Sequence, residues 1–466
     1  MGNTFATYSS AQQLSPIETL EKHAWALLSP FEKISLAGHL KRINNDENKL
    51  LAALGLSDAP GKELMIRMAT HATGNDLFGY LPIAVCWFNG RLVNKLKMER
   101  KAFVKQLFDS LCVSEINDEP YADFYDLHQI YTILLSAFDW NPALYTDADE
   151  QNIRMLDSHC SLMMLEGIKS PAVQYDEFYS VIKTEPYLLT SFAKIWDRLL
   201  FDKDTVIKDN IEPPIASHEF CLSATREQKA MLYATIGPVL DKSIRLFEGS
   251  RNGFSMRAFE VGVTKWEMPT LLLLKGWQPR KFDTQWKDKH YAIDSIVPPV
   301  YDAPLKKMTS KHLAFALFVQ TPWKLSSKQC FGTSDSLLIQ VQPVFRVWKM
   351  PAGSVFLKPG VGLGVGFKRP PSAGSTETGN ILFIDDTMEH AVLRVMSDEV
   401  HGDRYEHRFY IDELEVLGCG TLEDLHRQKE LWEIEENEAE RKRTFNVQED
   451  IALLQMDGVM GNYRSY

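Results

Sequence analysis

The hydrophobic pattern of this chain changes once along its length. In the first half, apolar residues recur every three or four positions, which predicts amphipathic helices. The clearest such set is Leu127, Ile130, Tyr131, Leu134 and Leu135. The same spacing predicts helices over 17–28, 61–70, 91–111 and 225–248. We therefore expect residues 1–224 to form a helical N-terminal domain.

From about residue 250 the chain consists of short apolar segments separated by Gly and Pro, a pattern typical of strands. The predicted strands are Thr270–Leu274, Leu313–Val319, Leu337–Val341, Gly360–Phe367, Ile381–Ile384, Ala391–Met396, Arg408–Ile411 and Leu414–Leu417. They predict a β-sandwich in a second domain, residues 225–420, and an α+β fold class. The long polar stretch between Gly276 and His312 predicts an exposed insertion.

A third region, residues 421–466, is predicted to be a charged helix with a tail. Residues 423–443 hold eight acidic and five basic side chains and no Gly or Pro. Their apolar seam is too narrow for a core, and it comprises Leu422, Leu425, Trp432 and Ala439. Two interpretations stay open: the helix reaches a partner through Leu425 and the anchor Trp432, or it packs along its own domain.

Charge and cysteine content limit the function classes. The formal net charge of -11 argues against binding nucleic acid through its phosphates. The aromatic and basic residues near Trp277 are therefore more typical of a core or a protein interface than of a stacking site for bases. The six cysteines are too widely spaced for a metal or redox motif, which favours free thiols in a reducing compartment.

Catalytic and metal motifs fail on spacing. Gly360–Gly366 alternates Gly with apolar residues and lacks the features of a nucleotide loop, so it is interpreted as a buried strand. Gly332–Ser336 lacks the last Gly of a nucleophile elbow. His401 and His407 do not have zinc-site spacing, so we expect both to be surface loop residues. The acidic stretch 139–150 lacks the ligand pattern of a calcium loop. We expect no catalytic residue, no cofactor and no metal.

The N-terminus offers one modification site. Gly2 follows the initiator methionine, and Asn3 suits N-myristoylation, whereas Ala6 is only a tolerated substitute for Ser or Thr. Acylation of Gly2 and an unmodified terminus both remain open. The longest apolar run, Leu81–Phe88, is too short to span a bilayer.

Several segments resemble the TLDc domain over about residues 235–420. In chain order they are Leu246–Ser255, Arg257–Phe259, Pro269–Leu271, Ala316–Trp323, Cys330–Thr333, Gly362–Gly366 and Glu413–Val416. Beyond them, Gln428–Arg443 and Ala452–Asn462 resemble the C-terminal extension of the fungal restriction of telomere capping protein five family.

The resemblance implies a domain without a known active site, association with oxidative stress resistance, and binding to the vacuolar V-ATPase, whose assembly such proteins influence. It also implies EF-hand-like helix pairs in the N-terminal domain. We therefore expect a monomeric, non-enzymatic regulator that binds peripheral V-ATPase subunits. Its expected location is the cytoplasm, with membrane contact at the vacuole through Gly2. The alternative is an adaptor in a process that influences telomere capping, directly or indirectly.

The segment from Arg251 to Phe254 is a candidate contact loop. Asn252 and Gly253 tolerate positive φ, so a tight turn can present Arg251 to a partner while Phe254 points inward. A purely structural turn remains the alternative.

Overall fold

The computed structural model describes most of the chain. The described residues are 16–54, 56, 57, 59, 62–74, 76–112, 114–116, 119–136, 160–200, 224–240, 243–278, 291–299, 312–372, 379–396, 404–421, 423–434, 437, 438 and 441. The predictions for Gly2, Leu422, Ala439, His401 and the acidic stretch 139–150 lie outside these residues.

Helices make up the described N-terminal region, as the sequence predicts. They are Pro16–Leu27, Pro30–Ile43, Glu47–Ala53, Lys62–Ala72, Leu81–Phe88, Arg91–Lys95, Arg100–Leu111, Phe124–Ser136, Tyr175–Thr184, Thr190–Asp197 and Arg226–Ile236. The prediction of a single helix over 91–111 is wrong, because the helix is interrupted between Lys95 and Arg100, where Lys97 has a φ of 52°. Helices account for 46% and antiparallel strands for 23% of the structure, which confirms the α+β class.

A small antiparallel sheet lies among the helices of this region. Its strands are β1 (Ser114–Ile116), β2 (Glu119–Asp123) and β3 (Ala172–Val173). Strand β2 lies between the helices 100–111 and 124–136, and pairs with β3, which precedes the helix 175–184. The carboxylate of Asp126, on the helix after β2, accepts a hydrogen bond of 3.1 Å from Arg67.

The second half of the chain forms one antiparallel sheet that folds into a sandwich. Its strands are β4 (Ser243–Glu248), β5 (Thr270–Trp277), β6 (His312–Val319), β7 (Leu337–Gln342), β8 (Arg346–Lys349), β9 (Val355–Lys358), β10 (Gly362–Val365), β11 (Ile381–Asp385), β12 (His390–Val395) and β13 (Tyr405–Cys419). Their order is β8-β7-β6-β5-β13-β12-β11-β10-β9, with β4 also pairing with β13. The long strand β13 joins both halves, so the two strands predicted within it are one.

The predicted helix over 225–248 is wrong in its second half. The helix ends at Ile236, and Gly237, with a φ of 82°, turns the chain away. Strand β4 follows and pairs with β13, placing Phe247 opposite Val416. Alternation in Ser243–Glu248 is interrupted, because Leu246 and Phe247 are both apolar, so pairing with β13 rather than the local pattern makes this segment a strand.

Each face of the sheet is covered by a different apolar cluster. The interior of the sandwich includes Leu272, Leu274, Phe315, Leu382 and Phe409. The outer face of β5, β6 and β7 packs against the N-terminal helices through residues that alternate with the interior ones, including Leu271, Leu273, Ala316 and Ile339. The helical region and this half of the sheet therefore share one core.

A third cluster corrects the prediction of an exposed insertion. The described part of that stretch contains the helix Tyr291–Ile296, and Ile293 and Val297 are buried against the outer face of the other half of the sheet. Arg408 of β13 donates a hydrogen bond of 2.5 Å to Asp294, which ties the helix to the sheet. The spacing of three and four positions between Ile293, Ile296 and Val297 was a helical signal hidden among polar residues.

Candidate functional site

The C-terminal helix, residues 423–434, begins directly after the sheet. Thr421 caps it: the Asp424 backbone N–H donates to the Thr421 hydroxyl at 3.2 Å, and the Asp424 carboxylate accepts from the Thr421 backbone N–H at 3.0 Å. This reciprocal arrangement is a capping box. The hydrogen bonds from Thr421 lower the pKa of Asp424, as expected for a carboxylate at a helix N-terminus.

Trp432 faces its own domain. Its ring lies 6.3 Å from the ring of Trp266, centroid to centroid, and Leu425 on the same side is half-buried. Trp266 is itself 1% exposed and donates from its indole N–H to the Pro269 carbonyl at 3.0 Å. A Cβ on Gly418 of β13 would lie 2.5 Å from the Trp266 ring, so this glycine admits the close approach. Trp432 and Leu425 therefore fit the second interpretation, in which the helix packs along its own domain.

The C-terminal helix also exposes two apolar residues that the sequence pattern did not single out, outside the seam that faces the domain. Leu431 and Ile434 are 43% and 55% exposed, whereas Gln428, on the Trp432 side, is buried. Leu431 and Ile434 are three positions apart and so lie next to each other on one face of the helix. We call this pair the outer apolar pair. A helical projection from residue 425 onward could have identified it, because at about 100° per residue Leu431 projects about 100° and Ile434 about 160° away from Trp432.

The predicted contact turn has a defined geometry. Arg251 is exposed on the short helix Gly249–Asn252, which ends at Gly253 with a φ of 80°. Asn252 accepts a hydrogen bond of 2.9 Å from the Glu248 backbone N–H, and Phe254 contacts the interior core, as expected. The structure thus supports the turn, and it leaves Arg251 accessible.

The turn and the C-terminal helix are anchored near each other on β13. Glu248, where the turn begins, is opposite Glu415, and Trp266 contacts Gly418. Three residues along a strand correspond to about 10 Å. The residues that hold the Arg251 turn and Trp432 in place therefore contact one short stretch of β13, although Arg251 and Trp432 are far apart in sequence.

The rejected catalytic motifs occupy structural positions. Gly362–Val365 is strand β10, where a Cβ on Gly364 would lie 2.2 Å from the Leu382 carbonyl oxygen. His407 was predicted to be a surface loop residue, and this prediction is wrong, because it lies on β13 inside the sandwich and is 1% exposed. Its ring contacts Tyr405 and Phe315, with centroids 5.3 and 6.3 Å away. Burial lowers the pKa of His407 to about 4.

No group of three or more His, Cys, Asp or Glu side chains within the described ranges is placed to hold a metal ion. Nor does any helix there have the length and apolar content needed to span a membrane.

Comparison with known proteins defines the class of the second domain. Residues 225–420 match the family model of the TLDc domain, so this part of the chain is a TLDc domain.

Its curated homologues include fungal proteins named Restriction of telomere capping protein 5. The chain is 28% identical to the Zygosaccharomyces rouxii protein, over 68% of this chain and 62% of the relative. It is 28% identical to the Kluyveromyces lactis protein, over 63% of this chain and 58% of the relative. Identity to the Meyerozyma guilliermondii protein is 32%, over 48% of this chain and 43% of the relative. The chain thus spans less than two thirds of the length of each of these relatives.

Proposed function

We propose that this protein is a non-enzymatic TLDc-domain protein that binds peripheral subunits of the vacuolar V-ATPase and regulates the assembly of the pump. Through that regulation it contributes to oxidative stress resistance. It acts as a monomer in the cytoplasm and at the vacuolar surface. The observation that carries the proposal is the C-terminal helix, whose inner side is held by Trp266 while its outer side presents Leu431 and Ile434.

The helix has the properties of a partner-binding element. Exposed apolar residues at a spacing of three positions, flanked by charged ones, form the kind of strip that an amphipathic helix uses in a groove. The contact between Trp432 and Trp266 fixes the orientation of the helix before binding, and this reduces the entropy lost on association. Arg251, exposed near the same part of β13, is a second contact within reach of a large partner.

Affinity isolation from vacuole-containing cells tests the proposal. Full-length protein should recover peripheral V-ATPase subunits, and a Leu431→Ser, Ile434→Ser double variant should recover at least about tenfold less. Val261→Ser is the matched control, since Val261 is 62% exposed on another helix. Recovery of no pump subunit by the unaltered protein would refute the function.

Membrane contact is a separate part of the proposal. We propose that Gly2 is N-myristoylated and that this single chain gives reversible binding to the vacuolar surface. Gly2→Ala should keep the thermal stability and release any membrane-bound pool into the soluble fraction. An unchanged distribution after fractionation would contradict acylation at Gly2.

The names of the homologues favour a second candidate, an adaptor in a process that influences telomere capping. In that case the protein should be recovered in chromatin fractions, with none at the vacuole. Cell fractionation with the same tagged protein therefore distinguishes the two candidates.

A further inference from the structure

Four side chains with rings form a row across four neighbouring strands of the sheet. His390 on β12 is opposite Tyr410 on β13, Tyr410 is opposite Trp277 on β5, and Trp277 is opposite His312 on β6. Directly opposed residues of antiparallel strands point to the same face of a sheet. We call these four residues the aromatic row.

Three of the four rings of the aromatic row are in contact. Trp277 stacks on Tyr410 with centroids 4.6 Å apart and an interplanar angle of 27°, and His390 lies 5.2 Å from Tyr410. Trp277 and Tyr410 are only half-buried, and neither belongs to an apolar cluster of the described residues. By contrast, Trp323 is 2% exposed. Packing of the core therefore does not account for the position of Trp277.

Carboxylates surround the aromatic row. Asp412 is exposed and hydrogen-bonds to the Trp277 side chain. At the other end, a carboxylate oxygen of Asp385 lies 2.8 Å from Nδ1 of His390. Glu389 is also exposed beside His390. Among the described residues, the aromatic faces are thus bordered by negative charge, which favours a cation.

Lys275 is the lysine nearest to Trp277 along β5, and its ammonium lies 3.4 Å from the Glu413 carboxylate. That ion pair leaves Asp412 and Glu389 as exposed carboxylates on either side of the row. Burial is the largest cause of the raised pKa of Asp412, and the charge of Glu413 adds to it, whereas the Trp277 hydrogen bond and the charge of His312 lower it. A cation against this carboxylate would stabilise its ionised form.

We propose that the aromatic row binds an arginine side chain of a partner protein. A guanidinium group is planar, stacks on aromatic rings, and donates two parallel hydrogen bonds to a carboxylate. Trp277 and Tyr410 supply the aromatic surface, and Asp412 supplies the carboxylate. This inference does not depend on the C-terminal helix or on the V-ATPase proposal.

Fluorine NMR of the full chain tests the inference. The protein has ten tryptophans, which 5-fluorotryptophan labelling makes visible as separate signals, and the signal lost in Trp277→Phe belongs to Trp277. The probe is a blocked pentapeptide of glycine and serine with one central arginine, titrated to millimolar concentration. Matched peptides carry citrulline, which is planar but neutral, or lysine.

The expected result is a saturable shift of the Trp277 signal with the arginine peptide and a much smaller one with citrulline or lysine. Asp412→Asn keeps an acceptor for the Trp277 N–H but removes the charge, so it should weaken binding about tenfold. Glu423→Gln, an equal charge change on the C-terminal helix, should bind like the unaltered protein. An unshifted Trp277 signal, equal shifts with citrulline, or undiminished binding by folded Asp412→Asn would each overturn the inference.

Discussion

The buried imidazole of His407 should make the fold sensitive to acid. Neither of its ring nitrogens has a hydrogen-bond partner among the described residues, and the ring lies between Tyr405 and Phe315 in the sandwich. Protonation would place an unpaired charge in this apolar interior. Burial therefore lowers the pKa of His407 from 6.5 to about 4 in the folded protein.

The sign and size of the effect follow from linkage. Because the unfolded chain binds the proton more readily than the folded one, stability is lost as the pH falls below 6.5, and the loss is complete below about 4. Between pH 7 and pH 5 the loss amounts to about 2 kcal/mol. Asp197 acts in the opposite direction, because burial raises its pKa to about 6 and acid then favours the folded state.

A comparison of variants isolates the contribution of His407. Urea unfolding at pH 7 and pH 5 should show that His407→Leu loses about 2 kcal/mol less than the unaltered protein between the two pH values. The contribution of Asp197 is common to both proteins and cancels. His71→Gln, an exposed histidine on the helix 62–72, is the control and should behave as the unaltered protein does. Equal losses in His407→Leu and the unaltered protein would refute the reasoning.

Three further predictions concern the supports of the site. Gly418→Ala should lower stability by about 1–3 kcal/mol in thermal unfolding, because its Cβ would lie 2.5 Å from the Trp266 ring. An unchanged melting temperature would contradict this. Trp432→Ala should make residues 423–434 more accessible to limited proteolysis than they are in the unaltered protein. Trp432→Phe keeps an aromatic ring next to Trp266, so it should protect these residues better than Trp432→Ala does. Arg408→Met should speed amide hydrogen exchange in the helix 291–296 by removing its bond to Asp294, and equal exchange would count against that bond as a support.

Periodicity predicted the fold class and most of the elements. The helix 124–136 and strand β6 were predicted because burial leaves a regular pattern in their sequences. A helix with one buried face has apolar residues every three or four positions, and a completely buried strand is a continuous apolar run. Strand β4 was not predicted, because six residues with mixed burial become a strand through pairing with β13. The helix 291–296 was also missed, since its apolar residues are few and gain their cover from the sheet.

The candidate site was predicted in part. The C-terminal helix and its charge were visible in the sequence, but the direction in which Trp432 points was not. It depends on Trp266, 166 positions earlier, being held in place beside Gly418. The aromatic row is likewise a product of strand register, because Trp277 and Tyr410 become neighbours only when β5 pairs with β13.

The most direct test of the central claim is quantitative binding of purified protein to purified peripheral V-ATPase complex. The account predicts that the unaltered protein and Val261→Ser bind alike, whereas replacing Leu431 and Ile434 together by serine weakens binding at least about tenfold. The melting temperature of the double variant should stay unchanged, because both residues are exposed. Equal affinity of the folded double variant would contradict the claim that the outer side of the C-terminal helix is the binding surface.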